Sequence, residues 1–74
     1  MDTESRKRIL QHLEEAERHV QRGKELLRKQ CELIDQLKRD GHDASGARDL
    51  LHTLEHIQII HIADRDRMRE QLTH

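Results

Sequence analysis

The 74-residue chain has no proline, no phenylalanine, tyrosine or tryptophan, one cysteine and three glycines. Each absence removes a class of structure or function. Without a second cysteine, Cys31 forms no intramolecular disulfide, which suits a reducing cytosol. Without phenylalanine, tyrosine or tryptophan the chain lacks the large rings on which nucleic-acid bases stack. The longest apolar patch, Ile57 to Ala63, is interrupted by Gln58 and His61, so no stretch approaches the 18 or so apolar residues of a membrane span. The opening Met-Asp-Thr-Glu-Ser lacks a basic segment followed by an apolar one, so no secretory signal is expected. There is no excess of either charge. Fourteen Lys and Arg stand against fifteen Asp and Glu, interleaved along the chain, for a net charge of −1. The basic clusters Arg6-Lys7-Arg8 and Arg28-Lys29 are separated by acidic turns, so nucleic-acid binding is not expected.

What the chain does have is helix-forming side chains, with 39% charged and 32% apolar residues. The one strong interruption is Asp40-Gly41-His42-Asp43. Gly41 fits the left-handed position that closes a helix, Lys38 and Arg39 suit a last turn, and Asp43 can cap a following helix. The expected fold is all-α: an antiparallel hairpin with helices over about residues 3–39 and 44–72, in a single domain 1–74. Gly23 lacks the flanking residues of a true turn and is read as internal to the first helix.

Apolar positions in the first helix alternate by four and three: Ile9, Leu13, Ala16, Val20, Gly23, Leu27, Gln30, Ile34 and Leu37. This is a heptad seam. Leu26 and Leu33 widen it on one flank, Leu10 and Cys31 on the other, with Cys31 read as a small flanking core residue. In the second helix the seam is read as Ala47, Leu50, Leu54, Ile57, His61, Asp64, Met68 and Gln71, with Leu51 and Leu72 beside it. A turn at Gly41-His42 then pairs positions whose numbers sum to about 84, setting Leu27 opposite Ile57, Gly23 opposite His61 and Ala16 opposite Met68. In this register the first helix overhangs the second by about a dozen residues, leaving Ile9 and Leu10 uncovered, while Ile59 and Ile62 point away from the seam. A four-helix bundle of two hairpins, joined through Ile9, Leu10, Leu13, Ile59 and Ile62, covers them all.

Histidine supplies the candidate chemistry. His52-Thr53-Leu54-Glu55-His56 matches H-x-x-E-H, in which two histidines one turn apart hold zinc and the glutamate activates water. A hairpin offers neither a third ligand nor a substrate cleft, so the motif reads as a solvated outer face or, across a symmetric interface, as half of a metal site. His61 falls in the apolar stripe, where a core histidine fits the space left by Gly23 and would be sensitive to pH. Asp64 needs a cation, with Arg18, His19 or Arg67 as the first partners to expect. His12 and His19, seven apart on one flank, read as polar surface.

The segments Glu17-Arg18-His19-Val20, Gln36-Leu37-Lys38-Arg39-Asp40-Gly41-His42-Asp43, Ala47-Arg48-Asp49-Leu50-Leu51 and His61-Ile62-Ala63-Asp64-Arg65-Asp66-Arg67 resemble a group of short uncharacterised helical-hairpin proteins of alphaproteobacteria such as the rhizobia. That resemblance implies a bacterial cytoplasmic helical protein and assigns no activity. The residues themselves suggest a non-enzymatic, self-associating interaction or regulatory module, a homodimer without a cofactor. The alternative is a histidine-based binder of zinc or another divalent metal at a symmetric helical interface.

Overall fold

The computed structural model describes residues 2–73, which form two helices and, among those residues, no strand. Helix α1 runs Thr3–Arg39 and α2 runs Ser45–Thr73, folded against each other as a hairpin 58 Å long and 14 Å across. The expected boundaries hold to one residue. Each end has a local cause. Asp2 accepts a hydrogen bond from the Ser5 backbone N–H at 2.7 Å, satisfying one of the donors that the first helical turn leaves unpaired. At the other end Gly41 takes φ of +74°, His42 N–H donates to Leu37 C=O at 2.8 Å and Gly41 N–H to Lys38 C=O at 3.1 Å. These two bonds are the Schellman pattern, which reverses the chain in very few residues. Asp43 then accepts from both the backbone N–H and the hydroxyl of Ser45, which starts α2.

The α1 seam is the expected one. Ala16, Val20, Gln30 and Ile34 are buried, and Ile9, Leu13, Gly23, Leu27 and Leu37 are half-buried between them. The α2 seam is displaced by one row. Ala44 and Gln58 are buried, and Ala47, Leu51, Leu54, His61, Met68 and Leu72 are half-buried, while Leu50, Ile57 and Gln71 are exposed. Both rows keep the three-four spacing, so periodicity does not choose between them. The observed row brings in Leu51 and Leu72 in place of Leu50 and Gln71, and it keeps Asp64 at the margin, where its carboxylate stays in water.

The cost of that choice is a glutamine in the seam, and the fold meets it with Gly23. Gln58 donates from Nε2 to the Val20 carbonyl across the hairpin at 2.9 Å. A Cβ on Gly23 would lie 2.6 Å from Gln58 Cδ and closer still to Oε1, so the glycine is what admits the amide. Gln30 makes the reciprocal bond, Nε2 to the Ala47 carbonyl at 2.9 Å. Gly23 therefore faces Gln58 and not His61, and the register sums to 81 at this layer, where 84 was expected. The same shift shortens the expected overhang by about three residues, and the Arg6 side chain closes part of what remains, its Nη1 reaching the Leu72 carbonyl at 3.3 Å.

Candidate functional site

A two-helix hairpin has a seam but no enclosed core. Among the described residues no large side chain is fully buried, and Leu10, Leu26, Leu33, Leu50, Ile57, Ile59 and Ile60 are exposed. Helix geometry sorts most of these between two long sides. One side carries the rows His12, His19, Leu26, Leu33 on α1 and Leu50, Ile57, Asp64, Gln71 on α2, each row stepping by seven residues and so lying along one stripe. The structure joins the middle and the terminal part of these rows into a groove of two depressions: His19, Arg22, Leu26, Ile57 and His61 line one of about 170 Å³, and His19 and His61 with His12 and Asp64 line the next, of about 160 Å³. The half near the loop is apolar, with Leu26, Leu33, Leu50 and Ile57. The half near the termini is lined by titratable groups.

The opposite side differs in chemistry. Its flanking rows are Leu10, Glu17, Lys24, Cys31 and Lys38 on α1 and Arg48, Glu55, Ile62 and Arg69 on α2, and Glu17 meets Arg69 across the hairpin at 3.7 Å. That pair is half in water, so it orients the helices and adds at most about 1 kcal/mol. Cys31 belongs to this side and is exposed, not the flanking core residue expected. Five residues singled out for self-association are dispersed. Ile9 and Leu13 are half-buried in the chain's own seam, Ile62 is half-buried on the charged side, and Leu10 and Ile59 are exposed, Ile59 at 65% the most exposed of the large apolar residues.

The histidines separate in the same way. His52 is 78% exposed and its Nδ1 lies 3.4 Å from Glu55 Oε1; His56 is also exposed, so the H-x-x-E-H segment faces solvent with no further ligand beside it. His61 is half-buried and sits against His19, the two rings 5.0 Å apart between centroids and tilted by 44°. Asp64 is bonded to Arg67, one of the cations expected for it. Glu15 lines the same depression as His19, His61 and Asp64. The signal for this cluster is present in the sequence as two chelating spacings, Glu15 to His19 at i,i+4 and His61 to Asp64 at i,i+3, but only the 81 register sets them face to face. Among the described residues no three His, Cys, Asp or Glu groups already converge as a metal site.

Two carboxyl groups are held below their usual range, both by hydrogen bonds. They are Asp2, through the Ser5 backbone N–H, and Asp43, through the Ser45 backbone N–H. Both serve helix starts. No helix among the described residues is long and apolar enough to cross a membrane. No family model matches the chain, and no curated protein or solved structure matches it either.

Proposed function

We propose that the protein is a non-enzymatic interaction module that self-associates through the grooved side of the hairpin. The observation that supports this reading is the division between its two long sides. One carries Glu17, Lys24, Lys38, Arg48, Glu55 and Arg69 and suits water; the other presents Leu26, Leu33, Leu50 and Ile57 in adjoining rows. Exposed apolar side chains gathered along one side and rimmed by polar groups are a surface that association covers. Size argues the same way. A side of a 58 by 14 Å rod projects roughly 800 Å², and its apolar half roughly 400 Å², the size of exposed patch that marks an interaction site. A second copy fits because the patch is self-complementary, Leu and Ile against Leu and Ile, as a two-fold interface requires. Two hairpins joined this way make the four-helix bundle that a hairpin with an open seam lacks. A reducing compartment such as the bacterial cytoplasm suits the exposed thiol of Cys31.

Light scattering on the eluting protein, with reductant present and across micromolar concentrations, tests the reading. The expected mass is twice 8.9 kDa. A single species at 8.9 kDa throughout would overturn it.

A further inference from the structure

We infer that the terminal half of the groove is a binding site for a divalent transition metal of the zinc class, held by Glu15, His19, His61 and Asp64. The proposal stands on one hairpin and does not depend on self-association. Each helix contributes a chelating pair, Glu15 with His19 one turn apart on α1 and His61 with Asp64 three apart on α2, and all four side chains line one depression of about 160 Å³. Two nitrogens and two carboxylate oxygens are a donor set that zinc accepts. Facing helices of a bundle hold metals with the same kinds of side chain, glutamates together with Glu-x-x-His pairs.

The distance between the rings supports this assignment. Two imidazoles bound to one tetrahedral metal through nitrogens at about 2.1 Å have ring centroids roughly 5 Å apart. His19 and His61 stand at 5.0 Å. A shared metal fits that spacing, which the tilted contact between the two rings already sets. The carboxylates come from the margins of the groove: exposed Glu15 turns toward the histidines without repacking the seam, and half-buried Asp64 is already held in place. Asp64 Oδ1 is bonded by Arg67, which fixes the carboxylate and leaves Oδ2 as the donor. Beneath the four donors lie buried Ala16 and half-buried Met68, an apolar floor that excludes water from one side of the ion. The site differs from the H-x-x-E-H segment, whose histidines project from the outer surface of α2 with no partner on α1.

Such a site clips the two helices together, so binding and stability are coupled. Untagged protein, kept reduced with a phosphine and free of chelators, is titrated with Zn²⁺ by calorimetry and with Co²⁺ by visible absorption, and its melting temperature is followed with and without Zn²⁺. The expected result is saturable binding of one metal per hairpin, with a rise in melting temperature and no cobalt–thiolate absorption. His19→Ala and His61→Ala each weaken binding at least about tenfold, and His52→Ala leaves it unchanged. Because His61 is half-buried, the exposed variant Glu15→Gln serves as a second probe that leaves the seam intact, and it too weakens binding. Absence of saturable binding would overturn the proposal. So would binding that is lost in His52→Ala, or in Cys31→Ser, while His19→Ala and His61→Ala retain it.

Discussion

The pair that sets the hairpin register is Gly23 and Gln58, a glycine and a polar side chain that hydrophobicity alone ranks low as core. Gln58 is 6% exposed, and its Oε1 is buried with no N–H or O–H donor. The glycine α-hydrogen, which takes the place of a Cβ, points at that oxygen, a weak C–H···O contact that offsets part of the missing bond. Adding a methyl group here displaces the amide and breaks its bond to the Val20 carbonyl. Gly23→Ala gains about 1 kcal/mol of helix propensity, yet it is expected to destabilise the protein by a net 1–2 kcal/mol or so through overpacking and the lost bond. Gln58→Ala in the same chain should recover most of that loss, because it removes the group with which the methyl collides. Chemical denaturation of the four members of this double-mutant cycle measures the coupling, and additive effects would show that the residues do not meet. The sequence made Ile57 the natural seam residue because it is more apolar than Gln58. That Gln58 takes the seam depends on a carbonyl and a space on the other helix, information that no one-helix pattern carries. The meeting of His19 and His61 was hidden for the same reason, since it follows from the register and not from either helix.

At the scale of the elements most of the structure was legible, because the devices that start and stop these helices are local. Gly41 was expected at a left-handed position and has φ of +74°; Asp43 was expected as a cap and accepts two bonds from Ser45. The two exposed glycines therefore predict substitutions of opposite sign. Gly41→Ala has open space around it but a backbone that L-residues avoid, so it should cost about 1 kcal/mol, or roughly 4–8 °C in melting temperature for a domain of this size. Gly46→Ala, in the first turn of α2 and equally uncrowded, should gain up to about 1 kcal/mol. Thermal melts at one fixed protein concentration separate the two. The cap also has a pH signature. Hydrogen bonding to Ser45 lowers the folded pKa of Asp43 below its unfolded value near 3.9 or so, so its stabilisation is present above that value and is lost as pH falls through the folded pKa. Asp43→Asn keeps an acceptor but no titration. The melting-temperature advantage of the native chain over this variant should hold at neutral pH and shrink below about pH 4. An advantage that does not change down to pH 3 would remove Asp43 from the account.

At the scale of the whole molecule, the hairpin is a rod with one watery side and one divided side, apolar toward the loop and rich in histidine and carboxylate toward the termini. Heptad arithmetic placed Leu26 and Leu33 on a single flank of α1. It assigned Leu50 and Ile57 to the seam, so the apolar patch these four residues make together emerged only when α2 turned by one row. The proposed role of the patch is to join two copies, and the charged side has none. Sedimentation equilibrium of three chains tests that division most directly: the native protein, Ile57→Glu on the grooved side, and Ile59→Glu, which alters an isoleucine with 65% of its surface in water. A glutamate at position 57 buries an unpaired charge in the interface, while one at 59 stays solvated. The account predicts a dimer for the native chain and for Ile59→Glu, and an 8.9 kDa monomer for Ile57→Glu with its helices retained. A dimer that survives Ile57→Glu and dissociates in Ile59→Glu would contradict it.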